Sequence, residues 1–423
     1  MTMTCLADRT FVRAAARSTR FVVVRLEAPT ARRRSDRLPL DVALVLDRSG
    51  SMAGEKIRLA REAVTRSLGA LDERDRVAVV VYDDRIDVVL PSAPAGGETR
   101  RTVEARLREI DARGSTNLAG GWLAGCEQAA LGLDGERIAR TLLLTDGLAN
   151  VGITDPHELE THARELRRRG VATTAFGVGD DFDEVLLRAM ATAGGGNFYY
   201  ISDARQIADH IASELGEALE VVARDAALVL DVPAGVVLDV LGPQPVERRG
   251  GTWRVSLGDL VSGQEVEVVL QLNFATGTVG DEVAVHVAAE DRDGALPPDA
   301  ATVRWTYADH AANDRRPRTR EVDRVVAGRF AARARQEAVA RNRAGDYGRA
   351  SEALRKVARR IGRYAGSDEV LRDLVAELDR EASHEYAAPM AAAVRKSIHF
   401  SSANILASRD ARGRARHGPG DRA

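Results

Sequence analysis

Leu44-Val45-Leu46-Asp47-Arg48-Ser49-Gly50-Ser51 decides how this chain is read. An apolar run of the kind that fills a buried strand ends in an acid, and two hydroxyls follow at alternating positions. On a loop leaving such a strand, Asp47, Ser49 and Ser51 offer hard oxygen donors that converge on one point. Oxygen sets of this kind suit Mg²⁺, which takes near-octahedral oxygen coordination at about 2.0–2.1 Å and keeps some of its water. Two later segments extend the theme. Gly114-Ser115-Thr116-Asn117 is a small polar loop that opens a helical stretch, and Leu142-Leu143-Leu144-Thr145-Asp146-Gly147 is a second buried-strand pattern ending in an acid and a glycine.

The sequence around these segments alternates between two periods. Apolar strands are expected at 41–46, 77–82, 141–145, 171–177 and 198–201, with Ile86–Leu90 as an antiparallel edge partner of the second. Helical patterns fall between them, from Gly54 and over 100–112, 118–131, 157–169, 183–193 and 204–222. Such alternation predicts an α/β fold with a mostly parallel, doubly wound sheet covered on both faces. Ligands of such sheets bind beyond the carboxyl ends of the strands, where Asp47 and Asp146 fall.

With that context, the D-x-S-x-S pentad, Thr116 and the Thr145-Asp146-Gly147 turn resemble the von Willebrand factor type A domain and its metal-ion-dependent adhesion site, over residues 39–222. The resemblance implies a Rossmann-like domain and assigns Asp47, Ser49, Ser51, Thr116 and Asp146 to the shell of a Mg²⁺ or Mn²⁺ ion. It further implies that the three hydroxyls touch the metal directly, that the two acids act mostly through water, and that an Asp or Glu of a partner protein takes the remaining position.

Outside 39–222 the period changes to two. Val266, Val268, Leu270, Leu272 and Phe274 alternate with polar residues, as do Val283, Val285 and Val287. Short strands at 228–232, 236–240, 252–257 and 302–307 complete a β-sandwich over 223–310. The β-like residues 10–27 have no partner before Asp41, and a lone two-strand ribbon is marginal in water. Residues 10–38 are therefore expected to carry N-terminal strands of the sandwich, with the metal domain inserted into it. Residues 318–400 read as a helical region, with helices at 321–343, 347–364 and 369–386. Its junction at Arg343–Leu354 is similar to the turn of a tetratricopeptide unit, but a single unit does not make a solenoid, and a helical hairpin packed on the sandwich is the better reading. Residues 408–423 are rich in Gly, Arg and Pro and are expected to be disordered.

Composition narrows the function. The chain has 423 residues, 44 % of them hydrophobic and 29 % charged, with a net charge of −2. That balance argues against nucleic-acid or anionic-membrane partners. No run approaches the ~20 apolar residues of a membrane span, and no signal-peptide core stands at the N-terminus, so a cytoplasmic protein is expected; with the resemblance above it reads as bacterial, and its excess of arginine over lysine reads as genome composition. Cys5 and Cys126 are too few for a disulfide framework.

Rival chemistries fit less well. His157 and His162 are five positions apart, which turns their rings about 140° from each other, whereas a zinc helix needs i, i+4. Gly177-Val178-Gly179-Asp180-Asp181-Phe182 lacks the third glycine of a dinucleotide loop and places two acids where a pyrophosphate would lie. Ser49 and Ser51 have no nucleophile elbow around them and no histidine near them except His157. Arg48 reads either as a surface arginine or as a residue steering an acidic ligand.

The expected function is therefore divalent-metal-dependent protein binding or scaffolding without catalysis. The alternatives are a non-catalytic subunit working with an AAA+ ATPase, as in magnesium-chelatase-like or chaperone-like complexes, and more remotely a metal-dependent hydrolase.

Overall fold

A computed structural model describes residues 3–31 and 37–417. Two compact units divide the chain: one holds the described residues up to Thr30 together with those from Val222 onward, and the other spans Ala31–Val221. Residues 32–36, within the N-terminal segment expected to carry sandwich strands, and residues 418–423 of the expected disordered tail lie outside the described residues.

Three strands open the first unit: β1 (Met3–Ala7), β2 (Phe11–Arg13) and β3 (Ser18–Glu27). The second unit follows as β4 (Leu40–Asp47), α1 (Glu55–Ser67), β5 (Arg76–Tyr82), β6 (Ile86–Pro94), α2 (Gly97–Arg108), α3 (Leu118–Ala130), β7 (Ile138–Thr145), α4 (Pro156–Arg168), β8 (Val171–Val178), α5 (Glu184–Ala193), β9 (Gly195–Ile201) and α6 (Ile207–Leu219). Its strands lie in the order β6-β5-β4-β7-β8-β9. All pairs are parallel except β5–β6, so the 86–90 segment is an antiparallel edge as its sequence implies. Every residue of β4, β7 and β8 is buried, which is why these strands read as unbroken apolar runs rather than alternating ones. The helix expected over 204–222 is shorter. A turn at Ala204–Gln206 precedes α6, and the chain is already extended at Val221.

The first unit resumes with β10 (Val221–Asp231), β11 (Val236–Val240), β12 (Val246–Arg249), β13 (Thr252–Val261), β14 (Glu265–Phe274), β15 (Glu282–Glu290) and β16 (Ala300–Ala308). These and the N-terminal strands form two sheets, β1-β3-β14-β11 and β12-β13-β10-β15-β16-β2. β3 pairs antiparallel with β14 from Ser18↔Phe274 to Glu27↔Glu265, while β2 joins the other sheet parallel to β16. Residues separated by about 240 positions are thus hydrogen-bonded neighbours, and the α/β unit is contained between β3 and β10 in the sequence. Val22, Val24 and Leu26 of β3 join Val266, Val268, Leu270, Leu272 and Phe274 in one core with residues of the facing sheet. The opposite face of the same strands is also dry, because Phe21, Val23 and Val269 pack against Val322 and Val326 of a later helix, Arg320–Arg343. That double burial explains the unbroken Phe21-Val22-Val23-Val24 run.

The helical region comprises α7 (His310–Arg315), α8 (Arg320–Arg343), α9 (Tyr347–Ala365), α10 (Glu369–His384) and α11 (Ala392–Leu406). α8 packs on α9, α9 on α10, and α11 returns to α8, around a core that includes Ala331, Leu354, Ile361, Leu371 and Leu378. The arrangement extends beyond the expected hairpin. Residues 408–417 correct the reading of a disordered tail. β11 pairs only with Leu270–Phe274, leaving the start of β14 open at that edge. There, Glu265 N donates to Arg416 O at 2.8 Å and Glu267 N to Ser408 Oγ at 3.1 Å. Buried Arg329 also donates to Ser408 Oγ at 2.8 Å. Backbone groups that need partners order this segment, and a composition rich in Gly and Arg gives no sign of that. Among the described residues, no helix is long and apolar enough to cross a membrane.

Helix α3 decides how the polar loops of the α/β unit come together. It carries Gly120, Gly121 and Gly125, each costing about 1 kcal/mol in a helix relative to alanine. Close approach to the sheet offsets this: a Cβ on Gly121 would lie 2.3 Å from the ring of Tyr82, and one on Gly125 would lie 2.2 Å from Val45 Cγ2. Gly121→Ala is therefore expected to destabilise the α/β unit by about 1–3 kcal/mol, overpacking outweighing the gain in helix propensity. A lowered urea midpoint would register this, whereas a raised midpoint would mean that α3 does not sit tightly on β5.

Candidate metal centre

The register of the central strands brings the two acids together. Leu46 pairs with Leu144, so Asp47 ends β4 beside Thr145 and Asp146 follows at the same end of β7. Asp47 and Asp146 have no solvent exposure. Asp47 Oδ1 accepts from Ser49 N at 2.7 Å, closing the turn of the pentad, and its Oδ2 accepts from Thr145 Oγ1 at 2.6 Å. Ser51 Oγ donates to Asp146 Oδ1 at 2.6 Å, and Ser49 Oγ lies 3.1 Å from Ser51 Oγ. Thr116 reaches the same place from the loop before α3: a Cβ on Gly147 would stand 3.4 Å from both Ser51 Oγ and Thr116 Oγ1. The structure thus gathers all five residues singled out in the sequence into one cluster. Ser51 is exposed and forms its mouth, while Ser49 and Thr116 are buried.

Backbone and side-chain bonds fix the three loops to one another. Gly50 N donates to Gly114 O at 3.1 Å, and Arg113 N to Arg48 O at 2.7 Å. Thr116 N donates to the side chain of Asn150 at 2.8 Å, and Asn150 N and Val151 N return bonds to Thr116 O. Asn117 caps α3 by accepting from Gly120 N, and Asn117 N donates to Asp83 O. Gly114 takes a positive φ of 69°, and a Cβ there would come within 2.2 Å of Asp84 Oδ1. Only glycine fits this turn without a shift.

Arg48 corrects both of its sequence readings. It is buried and binds Asp83 at 3.0 Å and Asp87, while Arg113 binds Asp83 at 2.7 Å. Arg48 therefore clamps the pentad to the loop after β5, and it neither lies on the surface nor points at a ligand. These arginines hold the Asp83 carboxyl below its usual range, against the opposing effect of burial. Lys56, in the first turn of α1, donates to Asp146 Oδ2 at 2.5 Å. Lys56, Thr145 and Asn150 are parts of this site that the sequence reading did not single out. Thr145 stood inside a quoted segment, and Lys56 was conspicuous as one of the three lysines of an arginine-rich chain. Neither carries a local pattern that says which carboxylate it meets.

Burial pushes Asp47 up to about 6, and the charge of Asp146 adds to the rise, against the lowering effect of bonds from Ser49 and Thr145. Two carboxylates and three hydroxyls form a hard oxygen set that fits Mg²⁺ or Mn²⁺. Among the described residues, no group of three or more His, Cys, Asp or Glu side chains is placed to hold a metal; here hydroxyls supply most of the donors. The rival motifs have simpler roles. His157 is exposed on α4, and His162 lies 3.7 Å from Glu158. Gly177 makes room for the ring of buried Phe182, since a Cβ there would come within 2.4 Å of it. Cys5 and Cys126 are free thiols.

Residues 41–213 match the family model described as the von Willebrand factor type A domain. This segment is a von Willebrand factor type A domain. The chain is 30 % identical to the uncharacterized protein YfbK of Escherichia coli over 250 residues, which is 57 % of this chain and 43 % of that protein. The chain also resembles inter-alpha-trypsin inhibitor heavy chain H4 of Homo sapiens, at 30 % identity over 165 residues, 38 % of this chain and 18 % of the relative. The chain thus spans well under two thirds of either relative. Among solved structures, a von Willebrand factor type A protein from Catenulispora acidiphila superposes with a TM-score of 0.69 at 20 % identity, covering 90 % of this chain and 96 % of that one. The ArnB paralog VWA2 from Sulfolobus acidocaldarius gives 0.60 at 14 % identity, covering 96 % and 97 %. At these identities the likeness is one of fold, and it reaches beyond the type A domain into the flanking sheets and helices.

A pH dependence follows from Asp47. A carboxyl whose folded value is raised binds its proton more tightly when folded, so stability is lost as pH climbs from about 4 through about 6. In EDTA, Asp47→Asn is expected to be neutral at pH 4 and to stabilise the α/β unit by about 3 kcal/mol at pH 8. Urea denaturation at the two pH values measures this, and equal effects at both would show that Asp47 is not raised.

Proposed function

We propose that the type A domain is a divalent-cation-dependent protein-binding or scaffolding module whose ion is held by Asp47, Ser49, Ser51, Thr116 and Asp146. The meeting of two buried carboxylates and three hydroxyls at the carboxyl ends of β4 and β7 carries this reading. Mg²⁺ or Mn²⁺ bound there supplies an electrophilic contact for a carboxylate. The chain's own groups prepare that contact. Thr145 and the Ser49 amide orient Asp47, Ser51 and Lys56 orient Asp146, and the Asn150 side chain holds the Thr116 backbone. Hydroxyls add no negative charge, so a cation held largely by them keeps its attraction for an incoming Asp or Glu of a partner.

Binding rather than catalysis is supported by the serines' own partners. The Ser51 hydroxyl is directed at a carboxylate already bound by Lys56, and the Ser49 hydroxyl lies 3.1 Å from Ser51 Oγ. Leu148, two residues after Asp146, is 52 % exposed, so the loop that carries the acid also offers an apolar side chain to solvent, and protein interfaces mix apolar and polar groups in this way.

Isothermal titration with Mn²⁺ is expected to give one site, weakened about 10–100-fold or lost in Asp47→Ala, Ser51→Ala and Thr116→Ala. Affinity capture with the full chain in Mg²⁺ or EDTA then tests the partner. A protein recovered equally in both conditions, and equally by Thr116→Ala, would sink the metal-dependent reading.

A further inference from the structure

Lys56 stands where helix physics does not want it. It occupies the first turn of α1, where the macrodipole favours acids and opposes cations. Its side chain runs back past the Ser51 carbonyl, 3.4 Å from Nζ, to Asp146 Oδ2. A Cβ on Gly179 would lie 3.7 Å from Nζ, so the ammonium sits between the ends of β7 and β8 with glycine backbone on that side. Asp146 is fully buried, whereas the Lys56 side chain is 30 % exposed. The pair therefore joins a fixed charge to one with a route to solvent. The residue type matters as well: lysine is a compact charge on a flexible stem, while arginine's planar fork would hold a carboxylate through two bonds.

We propose that Lys56 is a resident cation of the candidate metal centre, offsetting one of its two carboxylate charges so that the metal-free site stays folded and divalent-ion affinity is held down. This rests on the reading of the five residues as a metal site and adds a regulating residue to it. With Lys56 in place, two carboxylates and one ammonium leave the site with a single net negative charge. A bound divalent ion then leaves a net positive centre for a partner carboxylate. Without the ammonium, the same ion would be neutralised by the two acids.

The test compares Lys56→Gln and Lys56→Arg with wild type in the full chain, by Mn²⁺ calorimetry and by thermal melting in EDTA. Lys56→Gln is expected to bind Mn²⁺ about tenfold more tightly while melting lower in EDTA, because it removes a like charge from the ion and leaves buried Asp146 without its cation. Lys56→Arg, which keeps the charge, is expected to retain weak Mn²⁺ binding. If Lys56→Gln is unfolded in EDTA, the Mn²⁺ concentration that restores its circular dichroism replaces calorimetry, and a value at or above the wild-type dissociation constant overturns the proposal. A purely structural ion pair would lower stability and leave Mn²⁺ affinity unchanged or weaker. That outcome defeats the role of Lys56 and leaves the metal site standing. Absence of Mn²⁺ binding in all three proteins defeats the metal site itself, and this proposal with it.

Discussion

Two carboxylates with no solvent exposure, Asp47 and Asp146, end neighbouring parallel strands, and the rest of the α/β unit is organised around the cost of that arrangement. Buried negative charge is expensive unless hydrogen bonds and cations surround it. Each carboxylate oxygen has a partner: the Ser49 amide and the Thr145 hydroxyl for Asp47, the Ser51 hydroxyl and the Lys56 ammonium for Asp146. Even so, burial and the charge of Asp146 leave Asp47 at about 6. One ammonium does not balance two acids, and the residual charge gives a divalent cation its place in the proposed function.

Such a site works only if its oxygens are held, and the surroundings supply rigidity from several directions. Glycines in α3 let the helix settle onto β4 and β5, which delivers Thr116 from the loop before it. Buried Arg48 and exposed Arg113 converge on Asp83, tying the pentad and the loop before Thr116 to the end of β5. These ion pairs involve a carboxylate with no exposed side-chain surface, so they are less screened than surface pairs. The sheet pair and helices of the other unit have a different logic. There a strand from the start of the chain lies beside one about 240 residues later, and apolar burial on both faces holds it.

Much of this was legible in the residues themselves. Parallel strands buried on both faces have to be continuous apolar runs, so β4, β7 and β8 announced themselves, and the period-two pattern of β14 marked a sheet with unequal faces. Asp47, Ser49 and Ser51 were readable because the pentad is contiguous. Thr116 and Asp146 were reached through family resemblance; the strand register then placed Asp146, and the loop before α3 placed Thr116. Arg48 was misread because a lone arginine in an arginine-rich chain says nothing about burial. The ordered segment 408–417 was misread because backbone groups bind it, and these leave no trace in composition.

The sequence by itself determined the alternation of strands and helices, the change of period after Val222, and a hydroxyl-rich acidic loop at a strand end. All of these follow from local periodicity and from the chemistry of neighbouring residues. Only the tertiary structure decided that β1 and β3 share one sheet while β2 joins the other, that Arg48 faces inward, and that Lys56 crosses to Asp146. Those are contacts between residues far apart in the chain. Their partners are chosen by packing and charge compensation in three dimensions, for which local sequence carries no code.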